Sequence, residues 1–219
     1  MWVKANIPGL IFAGNFYLRA YVISKGQVYY GNEVKFLASV PIELIKNGDL
    51  SLPASPLAIT INETTDWKTD ETNSGMIGRA ENSWNGGVCF WTQDYAKSFY
   101  QVVGTVPSRE ADFTIKFDAN WNWTDWGDYD PIISVIFSAY SGNDPSTRVV
   151  IGKTDFTNGF FPGWGNNWKT RTGIFSIPAG SEFAGKNLVI EFDVIPYDGP
   201  WDPNLWFDFD NISVIQIIK

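Results

Sequence analysis

Apolar residues along this chain fall in short runs and not in helical repeats. No long stretch has apolar residues at positions i, i+3, i+4 and i+7, which an amphipathic helix requires. Runs of β-branched and aromatic residues recur instead between clusters of Gly, Pro, Asn and Asp, the pattern of strands separated by turns. Strands at this spacing favour an all-β fold, a β-sandwich or jelly roll. The pattern predicts strands over Phe16–Ser24, Val28–Leu37, Leu57–Asn62, Gly87–Thr92, Phe99–Val106, Asp112–Ala119, Ile132–Ala139, Arg148–Lys153, Arg171–Ile177, Asn187–Ile195 and Leu205–Ile218.

Two segments of the chain differ in composition. Residues 1–39 contain a predicted hairpin that turns at Lys25-Gly26-Gln27, and Ala38-Ser39-Val40-Pro41 has the composition of a linker. A segment of this length does not bury a core alone. The hairpin therefore either packs on residues 40–219 or ends a domain whose first strands lie elsewhere. We predict two units, 1–39 and 40–219.

The loops between antiparallel strands alternate between the two ends of a sandwich. If all successive strands are antiparallel, residues 93–98, 120–131, 154–170 and 196–204 share one end. Six of the eleven tryptophans fall in these four loops, and none falls in the loops 107–111, 141–147 and 178–186 of the opposite end. The aromatic residues predicted at the first end are Tyr95, Trp121, Trp123, Trp126, Tyr129, Phe160, Phe161, Trp164, Trp168, Tyr197 and Trp201.

Aromatic loops of this kind are suited to sugars. Indole and phenol faces bury apolar area at a low cost in side-chain entropy, and Asn and Asp exchange hydrogen bonds with hydroxyls. The alternative is that these tryptophans close the end of the core, because Trp is usually partly buried. Trp67, Trp84, Trp91 and Trp206 are assigned to the core or to the end of the sandwich. The predicted ligand-binding set is Trp121, Trp123, Trp126, Tyr129, Trp164, Asn166, Trp168, Asp198 and Trp201.

The composition excludes several kinds of catalytic site, metal site and binding partner. The absence of histidine excludes the Ser-His-Asp triad and most zinc sites, and a single cysteine excludes an intramolecular disulfide. A net charge of -8 argues against nucleic acid and anionic membrane surfaces as partners. No apolar run approaches the roughly 18 residues of a membrane span. The N-terminal segment also lacks the continuous apolar region of a signal peptide. We expect no export signal within this segment, and neutral ligands or hard cations as partners.

The hairpin sequence has a recognisable pattern. Gly14-Asn15-Phe16-Tyr17-Leu18-Arg19-Ala20-Tyr21, followed by Tyr30-Gly31-Asn32-Glu33-Val34-Lys35-Phe36, resembles the last two strands of a fibronectin type III-like domain. It is similar in particular to such domains in Bacteroidetes surface lipoproteins. The resemblance implies that residues 1–39 are the C-terminal strands of an incomplete domain of that type.

Three motifs in residues 40–219 resemble carbohydrate-binding modules with a galactose-binding-like jelly roll. They are Asn47-Gly48-Asp49-Leu50, the Phe99–Val106 strand with Phe113-Thr114-Ile115-Lys116-Phe117, and the closing Trp206–Val214 strand. The resemblance implies glycan binding and a structural calcium ion at Asp49 and Asp210. It also implies an extracellular setting on a bacterial surface, with an outer-membrane transporter as partner in polysaccharide utilisation. The three carboxylates of Asp125-Trp126-Gly127-Asp128-Tyr129-Asp130 could also wrap calcium, but the loop lacks the closing Glu of an EF-hand loop. A solvated acidic loop is the favoured interpretation of this segment.

Two other functions remain open at this point. The same sandwich would serve as a structural, adhesive or protein-interaction domain, because Trp and Tyr are also enriched in interface hot spots. A glycoside hydrolase or polysaccharide lyase is the other alternative. Glu191 and Asp193 share one face of a strand, but the chain lacks the third acid of the Glu-x-Asp-x-x-Glu pattern. We therefore expect non-catalytic binding of a neutral polysaccharide or oligosaccharide. The oligomeric state is left open.

Overall fold

The computed structural model describes residues 14–52, 59–70, 77–80, 89–93, 98–122, 132–156, 168–195 and 206–219. Within these ranges the chain forms strands and two short 3-10 turns, Ile61–Glu63 and Pro145–Thr147. The all-β prediction is confirmed. The strands are β1 Gly14–Ser24, β2 Gln27–Ala38, β3 Ile42–Glu43, β4 Ile77–Ala80, β5 Cys89–Gln93, β6 Ser98–Thr105, β7 Ala111–Asn122, β8 Ile132–Tyr140, β9 Val149–Phe156, β10 Lys169–Ile177, β11 Asn187–Ile195 and β12 Trp206–Ile218.

Strands β3 to β12 form two antiparallel sheets. The six-stranded sheet has the order β10-β7-β12-β5-β4, with β3 paired to the far half of β12, and the four-stranded sheet has the order β6-β11-β8-β9. From β5 onward the chain passes between the sheets at every connection except β8 to β9. This is the β-sandwich of jelly-roll type that the sequence predicts.

Aromatic rings fill the space between the two sheets. Phe99 and Phe192 of the four-stranded sheet stack at 5.4 Å, and Phe117 and Phe209 of the six-stranded sheet meet Phe192 edge-on. All four are fully buried, and each stabilises the fold by about 2 kcal/mol through removal of its surface from water. Trp67 is also fully buried and lies edge-on to Phe99, which confirms its assignment to the core.

The edge strands β9 and β10 approach each other at two glycines. A Cβ at Gly173 would lie 2.7 Å from Cζ of Phe156, and a Cβ at Gly152 would lie 2.8 Å from Cε2 of Phe175. Each phenyl ring thus occupies the space that a side chain would need. Phe175 also stacks on Phe137 at 4.2 Å, so its ring has little freedom to move aside.

Gly173→Val is expected to lower the free energy of unfolding by about 1–3 kcal/mol, because the new side chain would displace β10 from Phe156. Urea denaturation followed by circular dichroism measures this change. Thr172→Val, at the neighbouring exposed position of β10, serves as the control and is expected to cost less than about 0.5 kcal/mol. Equal losses in the two variants would contradict the packing argument.

The hairpin β1–β2 forms a two-stranded sheet of its own. Lys25 and Gly26 have φ of 51° and 80°, and two successive positive φ values match the tight turn that the twist of a hairpin prefers. The ladder is irregular between Arg19 and Tyr21. The predicted hairpin is confirmed, and the boundary between units 1–39 and 40–219 stays a prediction.

One predicted strand is wrong in its described part. The sequence favours a strand over 57–62, but Ile61–Glu63 forms a 3-10 turn. The carboxylate of Glu63 accepts hydrogen bonds from the backbone N and the Oγ1 of Thr60 at 2.8 and 2.9 Å. Such local side-chain bonds compete with a strand ladder. They also lower the pKa of Glu63, the backbone bond being the larger cause.

Candidate functional site

The four connections that the sequence analysis groups together join strands at one end of the sandwich. In the six-stranded sheet, the last residue of β7, Asn122, pairs with Trp206, and Lys169 of β10 pairs with Ala119. In the four-stranded sheet, Ile132 of β8 pairs with Ile195 of β11. The strand ends that flank residues 94–97, 123–131, 157–167 and 196–205 therefore share one end, which we call the loop end. The predicted antiparallel alternation is confirmed for these strands.

Most of the predicted ligand-binding residues lie outside the described residues. Trp121 is within them but sits in β7, paired with Phe207, and not in a loop as the sequence suggests. Trp168 immediately precedes β10 and is only 5% exposed. A ring this buried supports the end of the sandwich and does not offer a face for stacking. The predicted residues outside the described ranges are Trp123, Trp126, Tyr129, Trp164, Asn166, Asp198 and Trp201.

The predicted calcium ligands, Asp49 and Asp210, lie on segments that meet. The carbonyl oxygen of Gly48 accepts a hydrogen bond from the backbone N of Ile212 at 2.9 Å. Asp49 is exposed and accepts from Ser51, whereas Asp210 is buried and its Oδ1 accepts from the backbone N of Asn211. In the described ranges no three acidic, His or Cys side chains are grouped to hold a metal. Calcium takes six to eight oxygens, so these two carboxylates would be only part of a site.

Three buried carboxylates lie in the six-stranded sheet near its loop end. Asp118 of β7 and Asp210 of β12 are direct cross-strand partners, and Asp208 lies two residues along β12; all three are buried. Like charges directly opposite each other repel unless neighbours compensate. Asp118 accepts hydrogen bonds from Oγ1 of Thr170 and from Nδ2 of Asn211. These donors replace part of the hydration that burial removes.

A charged cluster covers the outer face of the four-stranded sheet. Arg148, which precedes β9, donates from Nε and Nη2 to Oε2 of Glu191 at 3.1 and 3.0 Å. Its Nη1 donates to Asp70 at 2.6 Å and to the carbonyl oxygen of Pro145 at 3.2 Å. The guanidinium carbon lies 4.6 Å from the ring centre of Tyr100. We call Asp70, Tyr100, Arg148 and Glu191 the arginine cluster.

The arginine cluster is closed by a fourth contact. Oη of Tyr100 donates to Oδ1 of Asp70 at 2.9 Å. Burial, followed by this hydrogen bond, raises the pKa of Tyr100 to about 12, so the phenol keeps its proton at neutral pH. The side chains of Arg148 and Glu191 are 13% and 12% exposed. Asp70 is more open, with 45% of its side chain exposed. The cluster therefore ties residues 59–70 to β6, to the residue before β9 and to β11, with the Arg148–Glu191 pair as its largely desolvated part.

The arginine cluster bears on the catalytic alternative. Glu191, one of the two carboxylates considered for a hydrolase, accepts two charge-assisted hydrogen bonds from Arg148. Bonds of this kind are about twice as strong as neutral ones. The geometry thus assigns Glu191 a role in stability. Sequence reasoning missed the cluster because its hydrogen-bonded pairs are 30 to 78 residues apart, and no local pattern links them.

Comparisons with known proteins find solved structures of similar fold but no matching sequence. No family profile and no curated protein sequence matches this chain. The Stig cyclase Fisc from Fischerella sp. TAU is 16% identical, with a TM-score of 0.51 over 81% of this chain and 98% of that chain. A second cyclase structure from Fischerella sp. TAU is 17% identical, with a TM-score of 0.50 over 80% and 97% of the two chains. At these identities the likeness shows the fold alone.

Carbohydrate-binding modules are also among the similar structures. TmCBM61, solved in complex with beta-1,4-galactotriose, is 14% identical, with a TM-score of 0.46 over 79% of this chain and 97% of that chain. The similar structures thus include both binding modules and enzymes. Separately, no helix within the described residues is long and apolar enough to cross a membrane.

Proposed function

We propose that this chain binds a neutral polysaccharide or oligosaccharide without turning it over, through the aromatic residues at the loop end. The observation that carries the proposal is the strand register. It brings together the flanking strand ends of the three segments that contain Trp123, Trp126, Trp164 and Trp201. Aromatic faces from several loops, with Asn and Asp beside them, form the chemistry that sugar rings and hydroxyls require.

The charge of the protein favours a neutral glycan over an acidic one. The net charge is -8, and buried Asp118, Asp208 and Asp210 lie in the strands that lead to the loop end. Carboxylates near a binding surface repel uronic acid or sulfate groups. A neutral sugar has no such penalty, and acidic side chains accept hydrogen bonds from its hydroxyls.

The proposed setting is a bacterial cell surface, where the chain would capture glycans for an outer-membrane transporter. It derives from the resemblance of residues 1–39 and 40–219 to modules of surface lipoproteins. Calcium bound at Asp49 and Asp210 is part of the same proposal, as a structural ion. If calcium binds there, added calcium raises the melting temperature relative to EDTA, and Asp210→Asn removes the increase.

Trp164→Ala and Trp123→Ala are each expected to weaken glycan affinity tenfold or more, because a lost stacking face costs about 1.4 kcal/mol or more. Affinity electrophoresis across neutral β-glucans, galactans, xylans and mannans identifies the ligand, and calorimetry measures the affinity. Tyr197→Ala tests a third loop residue, and Tyr21→Ala, an exposed tyrosine of the hairpin, is its matched control. Unchanged affinity in the Trp variants would show that the site lies elsewhere.

The same glycans distinguish the two alternatives. Release of reducing ends or unsaturated products, lost in Asp193→Asn or in a Glu191→Gln variant that remains folded, would mean an enzyme. No response to any glycan, together with a tight protein partner, would mean an interaction domain.

A further inference from the structure

A buried carboxylate of β7 bonds to both strands that flank β7 in the six-stranded sheet. Oδ1 of Asp118 accepts a hydrogen bond from Oγ1 of Thr170 in β10, and Oδ2 accepts one from Nδ2 of Asn211 in β12 at 2.9 Å. Asp118 is 7% exposed, and both of its oxygens have protein donors. We call Asp118, Thr170 and Asn211 the Asp118 network.

The three strands of the Asp118 network are those that adjoin the segments with the candidate tryptophans. β7 runs into one such segment, and β10 and β12 each follow one. These segments are 123–131, 157–167 and 196–205, and they contain Trp123, Trp126, Trp164 and Trp201. We call the adjoining parts of the three strands the loop stems, which are residues 118–122 of β7, 169–170 of β10 and 206–211 of β12. Asp118 therefore joins all three loop stems.

The two hydrogen bonds lie where the backbone ladders give little support. Thr170 is the second residue of β10, and the ends of strands open most easily. The ladder between β12 and β7 shifts register after Asp210, and Asn211 has φ of 50°. A bulge of this kind leaves a residue unpaired and changes the direction of its strand. The bond from Asn211 to Asp118 therefore fixes β12 at a point where the ladder does not.

We propose that Asp118 is a positioning residue of the glycan site, which touches no sugar and holds the three loop stems in the relative positions that binding requires. The inference rests on the proposed function, because binding at the loop end is what needs these stems fixed. Affinity falls when the residues that support a site leave it loose, since its ordering is then added to the cost of association.

Thr170→Val removes the hydroxyl donor and keeps the branched shape of the side chain. It is expected to weaken glycan affinity about fivefold or more, because β10 loses its link to Asp118. Thr172→Val is the matched control, since Thr172 lies on the same face of β10 outside the Asp118 network, and it is expected to change the affinity less than about twofold. Calorimetry measures both, with the glycan that affinity electrophoresis selects from β-glucans, galactans, xylans and mannans.

Two substitutions of Asp118 separate its hydrogen bonds from its charge. An Asn side chain can accept from Asn211 and donate to Oγ1 of Thr170, so Asp118→Asn is expected to keep the affinity within about twofold. Asp118→Ala loses both links and is expected to weaken the affinity about tenfold or more. Asn211→Gly keeps the positive φ and cuts one link, so its loss is expected to lie between these two.

A double-mutant cycle with Trp164→Ala gives a readout that a general loss of stability would not give. If Thr170 acts through the stem of the segment that contains Trp164, Thr170→Val costs little further affinity in the Trp164→Ala background. Additive losses would overturn the positioning role. So would unchanged affinity in Thr170→Val and Asp118→Ala beside weak binding in Trp164→Ala, and that result would leave the proposed function standing.

Fluorine NMR of the chain labelled with 5-fluorotryptophan tests the same role without a glycan. Thr170→Val and Asp118→Ala are expected to shift or broaden the resonance of Trp164, assigned through Trp164→Phe, whereas Thr172→Val is not. An unchanged resonance overturns the inference whether or not a glycan binds. Changed resonances in a chain that binds no glycan would overturn the proposed function, and with it the role of Asp118 in binding.

Discussion

Gly48→Ala is expected to lower the free energy of unfolding by about 3 kcal/mol or more. A Cβ at Gly48 would lie 1.9 Å from the carbonyl oxygen of Ile212 and 3.0 Å from its carbonyl carbon. The obstacle is backbone, which cannot rotate away as a side chain does. The carbonyl of Gly48 also accepts from the backbone N of Ile212, so relief of the clash breaks the bond that joins this segment to β12.

The hydrogen bonds of Asn47, the residue before Gly48, are expected to increase the loss of stability in Gly48→Ala. Asn47, with φ of 50°, donates from Nδ2 to the carbonyls of Leu52 and Thr65. Its own carbonyl accepts from Nε1 of Trp67 at 3.0 Å. Displacement of residue 48 would pull on this bond and loosen Trp67, which closes the aromatic core. Loss of a buried hydrogen bond and of packing around a large ring both add to the cost.

Urea denaturation followed by tryptophan fluorescence measures the loss. Gly180→Ala is the matched control, because Gly180 has φ of 71° and nothing within 4 Å of an added Cβ. It is expected to cost only the backbone penalty of about 1–2 kcal/mol. If Gly48→Ala costs no more than Gly180→Ala, the close approach to β12 is not what requires glycine.

The sequence predicted the sandwich because the strand pattern is local. In β7, Ala111, Phe113, Ile115, Phe117 and Ala119 alternate with polar residues and are all buried. Period-two alternation is set by the pleat itself. That the four connections share one end of the sandwich follows from antiparallel pairing alone. This prediction therefore holds, although several predicted strand ends differ from the observed ones by a few residues. The extension of β7 to Asn122, which places Trp121 in a strand, depends on the pairing partner β12.

Features that depend on distant partners could not be predicted. β3 is only two residues long, and it exists where Glu43 reaches β12, accepting from the backbone N of Val214 and from Oγ of Ser213. Gln101 is buried because its amide exchanges two hydrogen bonds with the backbone of Lys46. Neither pairing leaves a periodic trace in the sequence. The burial of Trp168 could not be predicted either. Its residue type suits a sugar-stacking surface, but its ring is buried and supports the end of the sandwich.

Breaking the arginine cluster is expected to destabilise the protein by about 3 kcal/mol. Arg148→Met keeps the aliphatic volume over Tyr100 but leaves Glu191 and Asp70 without their cation. An unpaired, largely buried carboxylate costs more than the ion pair itself contributes. The double variant Arg148→Met with Glu191→Leu is expected to recover part of the loss, because it removes the stranded charge as well.

Alkaline pH gives an independent test of the cluster. The pKa of Tyr100 is raised to about 12 from a usual value near 10, so the protonated phenol is favoured in the folded state. Its contribution to stability is complete below about pH 10 and is lost as pH rises through about 12. Tyr100→Phe is expected to reduce this loss of stability at alkaline pH. Urea denaturation between pH 7 and pH 12 measures the free energy of unfolding of both proteins.

A surface ion pair in β9, the strand that follows Arg148, provides the control for Arg148→Met. Lys153 and Asp155 are in contact at 3.0 Å but are 47% and 38% exposed. Exposed pairs contribute about 0–1 kcal/mol because water and salt screen them. Lys153→Met is therefore expected to change the free energy of unfolding by less than about 1 kcal/mol. Similar losses in Lys153→Met and Arg148→Met, or no rescue by Glu191→Leu, would mean that burial of the charges is not what makes the arginine cluster important.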